Sequence, residues 1–128
     1  MIQEYFKNEL AAAYPFLKWS IDHYESKEDV GVVYAESSGE PSSYENQFRF
    51  PNYMILVRDR NWQRAEETAL EILERFNRRL KEQFMTSTGR MYDIVFIEAT
   101  SGVNRLGVDG KHMEYTINFK ATIRGIIE

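Results

Sequence analysis

Residues 113–127 read MEYTINFKATIRGII, and their alternation decides the fold. The odd positions carry Met113, Tyr115, Ile117, Phe119, Ala121, Ile123, Gly125 and Ile127. The even ones from 114 to 124 carry Glu114, Thr116, Asn118, Lys120, Thr122 and Arg124. A period of two puts the two sets on opposite faces of a half-buried strand, roughly 45–50 Å long at about 3.3 Å per residue. That is long enough to span a domain of this size.

Before this strand, residues 100–111 (TSGVNRLGVDGK) contain three glycines and read as a loop, and residues 91–99 (MYDIVFIEA) read as another strand. Residues 62–84 predict the longest helix. Trp62, Ala65, Ala69, Leu73, Phe76, Leu80 and Phe84 recur at spacings of three and four, with Asn61 placed to cap the start. Glu66 and Glu67 lie in its first turns and Arg75, Arg78, Arg79 and Lys81 toward its end. Its charges therefore complement the helix dipole, and Glu71–Arg75 and Glu74–Arg78 are favourable pairs four residues apart.

Residues 47–58 predict a strand whose run Tyr53-Met54-Ile55-Leu56-Val57 suits a position covered on both faces, with Pro51 marking a kink or an edge. Residues 36–46 (ESSGEPSSYEN) lack the apolar residues for a packed element and read as a long exposed loop. Residues 16–24 alternate through Leu17, Trp19 and Ile21, and residues 30–35 (VGVVYA) form a second β-rich run, together suggesting a hairpin. Residues 1–13 have helical spacing, ended by Tyr14-Pro15. The expected architecture is an α/β (α+β) single domain over residues 1–128. Its order is α-β-β-β-α-β-β, with a mixed sheet, helices packed on one face, and a right-handed crossover through the long helix.

The chain has 128 residues, 43% apolar, 14% aromatic and 28% charged, the balance of an ordinary folded domain. By size, about two thirds of the unfolded chain's surface is buried on folding. No apolar run approaches the roughly 20 residues of a membrane span. Glu4, Lys7 and Glu9 occupy the place where a signal peptide would be apolar, so a cytosolic location and no membrane partner are expected. Sixteen Lys and Arg against twenty Asp and Glu leave a net charge of −4, the opposite of a phosphate-binding footprint. With no cysteine there is no disulfide, thiol nucleophile or cysteine-ligated metal.

Little in the sequence points to catalysis. His23 follows Asp22 where strand neighbours face opposite ways, and His112 lies in a glycine-flanked loop; both read as exposed. Residues 102–107 (GVNRLG) outline a phosphate loop without its Gly-Lys-Ser/Thr ending or a following helix. The Arg58-Asp59-Arg60 cluster could hold an anion at a helix start, but it reads more simply as a turn of compensating charges. No enzyme activity, cofactor or metal is expected. A binding or assembly role remains, for which Tyr44, Phe48 and Phe50, in or beside the polar loop, and Arg105, Leu106 and Asp109, in the glycine-rich loop, are the candidate interface residues.

A series of short stretches then carries a resemblance. Ser-Gly-Glu-Pro (38–41) precedes Met-Ile-Leu-Val-Arg-Asp (54–59), followed by Ala65-Glu66 and Ala69. Gly89-Arg90-Met91-Tyr92 comes next, then Leu106-Gly107-Val108-Asp109 and Tyr115-Thr116-Ile117-Asn118-Phe119. In this order the set resembles the tail terminator and minor capsid proteins of long-tailed bacteriophages, especially those of Gram-positive hosts. The resemblance implies a small α/β domain that closes into a hexameric ring on the tail tube, halts its growth and presents a surface to the head's connector or stopper. It also implies a virion protein of the tail–neck region, assembled in the host cytoplasm. Its partners are further copies of itself and the major tail tube protein, and DNA passes through the ring without specific binding. A head-completion or neck protein of the same particle is an alternative, as is a small intracellular domain with a ligand pocket between helix and sheet.

Overall fold

The computed structural model describes residues 2–24, 28–37 and 48–126. Helix α1 (Gln3–Ala13) buries Tyr5, Phe6 and Leu10, and the Tyr14 N–H closes its last turn on the Leu10 carbonyl at 2.8 Å. Strands β1 (Lys18–Ile21) and β2 (Val30–Ser37) follow. They pair in parallel, with Trp19 opposite Gly31, so the expected hairpin is not formed. Asp22, in the left-handed region at φ 65°, turns the chain out of β1. β2 also takes in Glu36 and Ser37, which were expected in the polar loop; the rest of that loop, residues 38–46, lies outside the described residues.

Strands β3 (Phe48–Arg49) and β4 (Asn52–Asp59) are separated at Phe50-Pro51, as the proline suggested. Helix α2 (Trp62–Phe76) begins at Asn61, whose side chain accepts from the Arg64 N–H at 3.0 Å. It ends eight residues before the expected Phe84, because Asn77 is extended and Arg78 is left-handed at φ 63°. The remainder becomes strand β5 (Arg79–Met85). Spacings of four from Phe76 to Leu80 to Phe84 fit a helix, but they do not exclude a strand. Here Glu82 and Phe84 turn toward α1, where Tyr5 meets both, while Leu80 is left 65% exposed.

Strands β6 (Met91–Ala99), β7 (Asn104–Asp109) and β8 (His112–Ile126) complete one mixed sheet ordered β1-β2-β4-β8-β6-β5. The long alternating strand is its centre. β4 lines one flank of β8 at residues 113–120, while β6 and β7 share the other flank in succession. β4 and β6, the strands expected on either side of the long helix, run parallel in the same sheet on opposite flanks of β8; the connection between them passes through α2 and also through β5, which lies antiparallel to both.

The core is the face predicted from the alternation. Met113, Tyr115, Ile117, Phe119, Ala121 and Ile123 are all buried against Phe6, Leu10, Ala69, Ile72 and Phe76, so both helices pack on one face of the sheet. The sheet curls enough for α1 to touch β1 and β2 on one side and β5 on the other, where Arg79 binds Glu9. On the opposite face Val30, Val32 and Leu56 form a smaller buried group beside Tyr24 and Tyr34. The fold is thus a single α+β domain.

Candidate docking edge

The glycine-rich stretch expected as a loop is mostly strand. β7 pairs antiparallel with the first half of β8, with Arg105 opposite Tyr115, Val108 opposite Met113 and Asp109 opposite His112. The register slips at Leu106, and Gly107 takes up the slip at φ 104°, a conformation that L side chains rarely adopt. Glycines and the bulge erase the alternation that would have marked a strand. Among the described residues β7 pairs with β8 alone, so its outer edge is open.

Two apolar side chains sit on that edge. Leu106 is 60% exposed and Val108 47%. Leu106 does not fold back onto the sheet. Arg105 and Asp109 flank the pair, both exposed. The strand is held firmly, because the indole Nε1 of Trp62 donates to the Lys111 carbonyl at 3.2 Å and ties the β7–β8 turn to the start of α2. Trp62 was expected on the buried stripe of that helix; it is exposed instead, since the core side of α2 is Ala65, Thr68, Ala69, Ile72 and Phe76.

The other candidate residues lie elsewhere. Phe48 opens β3 opposite Arg124, and Phe50 is exposed just after it. Arg124 and Lys120 place their cationic groups 5.7 and 5.6 Å from the Phe48 and Phe50 ring centres. Phe48 therefore belongs to the far half of β8, roughly 25–30 Å from the β7 contacts at about 3.3 Å per residue. Tyr44 lies outside the described residues. The six candidates do not form one surface.

At the turn end of β7 the charges of 58–60 are individually matched. The nearly buried Arg58 guanidinium donates to the Glu28 carbonyl at 3.1 Å and lies 3.6 Å from Asp109 and 3.8 Å from Glu114. Burial, with Asp109 nearby, pushes the Glu114 carboxyl above its ordinary range. Asp59, fully buried, accepts from the Asn61 N–H and from Arg64 Nε and Nη2 at 2.9, 2.6 and 2.9 Å. Arg60 binds Asp29, whose carboxyl burial would raise but whose hydrogen bonds from Arg60 hold it low.

His112, expected as exposed, is only 6% exposed. Its Nε2 lies 3.2 Å from Asp29, because the first residue of β8 is enclosed where β2, the β4–α2 turn and the β7–β8 turn converge. His23 is exposed, with Nδ1 3.0 Å from the Ile21 carbonyl.

Two surface depressions, of about 430 and 400 Å³, are lined mainly by charged side chains. One lies along β5 and β6 beside Arg124, the other between Tyr14, Glu71, Glu74, Arg75 and Arg79; neither lies between the helices and the sheet. Among the described residues no cluster of three His, Asp or Glu side chains is placed to hold a metal ion, and no helix is long and apolar enough to cross a membrane. No protein-family model matches the chain, and no curated protein matches it in sequence.

Proposed function

We propose that this protein is a tail terminator of a long-tailed bacteriophage, acting through protein contacts alone. The observation that carries the reading is the open β7 edge, which presents Leu106 and Val108 within one of the stretches that resemble the family. An exposed apolar pair on a strand anchored by β8 and Trp62 can dock without reorganising the core. In this reading copies close into a hexameric ring on the tail tube, the ring covers the growing end, and its other side receives the head's connector or stopper. The net charge of −4 suits a ring through which DNA slides, since phosphates are not held.

The test pairs folding with assembly. Leu106→Asp should leave thermal unfolding of the purified protein nearly unchanged. Particles assembled with the variant should, by electron microscopy, have tails of uncontrolled length or tails that fail to join heads. Normal particles would remove β7 from the account. Tails of normal length beside unfinished heads would move the protein to the neck. Light scattering of the native protein with and without tail tube protein tests the ring itself.

A further inference from the structure

The helix layer stops short of β7. α1 packs on β1 and β2, and α2 on β4, β8 and β6, which leaves β7 at the margin of the sheet. Directly opposed side chains share a face, so Arg105, opposite Tyr115, and Val108, opposite Met113, point to the side on which the helices lie. Both are exposed.

The flank of α2 that faces this margin is largely apolar, where a flank bordering solvent is ordinarily polar. Trp62, Glu66, Leu70, Leu73 and Asn77 follow at spacings of four, four, three and four and form one stripe. Both ends of the stripe are fixed. Trp62 Nε1 donates to the Lys111 carbonyl at 3.2 Å, and the Asn77 side-chain oxygen accepts from the Ala99 N–H at 2.9 Å. Residues 99 and 111 bracket β7, so the stripe runs alongside it. The lengths agree, about 22 Å for fifteen residues of helix and about 20 Å for six of strand. Leu73 and Val103 are half-buried against the core on this side, while Trp62 is 49%, Leu70 45% and Val108 47% exposed.

The outer rim of the stripe is acidic. Glu66, Glu67 and Glu74 are exposed and have no ion-pair partner among the described residues. The nearby cations of α2 are committed elsewhere, Arg64 to Asp59 and Arg75 to Glu9. The expected Glu74–Arg78 pair is not formed, because the helix ends at Phe76.

We infer that the margin between α2 and β7 docks an amphipathic helix of a partner protein. That helix is apolar where it meets Trp62, Leu70 and Val108, and basic on the flank that meets Glu66, Glu67 and Glu74. A helix fits because it packs beside α2 at the usual spacing of about 8–10 Å and extends the helix layer over Val108. A strand would instead pair with the outer edge of β7, which the bulge at Leu106 interrupts. The site is independent of the tail-terminator reading.

Trp62 reports on the site, because the other tryptophan, Trp19, is only 8% exposed. A probe peptide of about 16 residues, made of leucine and lysine with leucine at helical spacing, should shift Trp62 emission to the blue when added to the full chain. Leu70→Asp should weaken binding at least tenfold although it adds a negative charge. Glu66→Lys with Glu67→Lys should do the same, and neither variant should lower the melting temperature. Glu36→Lys with Glu98→Lys makes the same change of charge on β2 and β6, away from the site, and should weaken binding far less. A peptide of leucine and glutamate should leave the emission unchanged. The site is overturned by no shift at about 1 mM peptide, by equal weakening from the two double variants, by equal binding of the two peptides, or by undiminished binding to Leu70→Asp. A shift that appears with protein concentration alone would assign the surface to a second copy and overturn it too. No tail component enters these experiments, so their failure leaves the terminator reading standing, and normal particles from Leu106→Asp leave this site standing.

Discussion

The indole of Trp19 fills the space that a side chain at Gly31 would need: a Cβ at Gly31 would come within 2.5 Å of three ring carbons. The two residues are register partners in the parallel β1–β2 pair, and the indole Nε1 donates to the Tyr14 carbonyl at 2.9 Å. The ring is thus held from the end of α1 while it covers β2. Gly31→Ala should destabilise the fold by about 1–3 kcal/mol, the usual cost of overpacking a filled site. A urea titration measures it. A change below about 0.5 kcal/mol would mean that the indole swings aside at little cost.

The core side of α2 makes a second set of expectations. Ile72 and Phe76 are fully buried, so alanine at either should cost on the order of 2–5 kcal/mol. Leu73 is only half-buried and should cost less than either, near 1–2 kcal/mol. Exposed Glu71 should cost below about 1 kcal/mol. Equal losses at Ile72 and Leu73 in denaturant titrations would show that the helix is rotated from the orientation described.

The start of α2 rests on Asn61 and Asp59. Removing the cap with Asn61→Ala should cost about 1 kcal/mol. Asp59→Ala should cost more, about 2–4 kcal/mol, because it removes a fully buried acceptor of three hydrogen bonds. Thermal unfolding of the two variants side by side checks the order, and a milder effect at Asp59 than at Asn61 would contradict it.

Acid stability should depend on Glu9. Burial tends to raise its carboxyl, but hydrogen bonds from Arg79 and Arg75 outweigh this and hold it below the ordinary glutamate value of 4.5. A carboxyl depressed in the folded state contributes stability above its unfolded value and loses it as the pH falls through the folded one. Native protein should therefore be more stable than Glu9→Gln at pH 7, with the two converging as the pH drops below 4.5. Stability curves measured from about pH 7 to pH 3 decide it. A difference that persists unchanged into acid would assign the effect to packing.

Part of the candidate edge was legible before any contact was known. Leu106, an apolar residue among glycines with charges on both sides, stood out as a docking residue, and it is exposed. Trp62 and His112 were misjudged in opposite directions, one expected buried and found exposed, the other expected exposed and found enclosed. Nothing local distinguishes them. Trp62 has helical spacing to the core residues but lies at the helix start, where the β7–β8 turn takes its N–H, and His112 is enclosed by segments remote in sequence.

The sequence by itself determined the long central strand, its buried face and the beginning of α2, because side-chain period and capping chemistry act over a few residues. Tertiary structure alone decided that α2 stops at Phe76 and that β5 follows. Phe84 lies eight residues beyond that end, and the contacts that choose the strand are Tyr5 with Glu82 and Phe84, and Arg79 with Glu9, across some 70 residues of chain. It likewise decided that β1 and β2 run parallel, with Trp19 laid over Gly31 in that register, and that residues 104–109 form a strand, since only pairing with β8 defines one where glycine and a bulge have removed the period. Local propensity is worth tenths of a kcal/mol per residue; packing against a distant partner is worth several times that, and it wins wherever the local pattern is ambiguous.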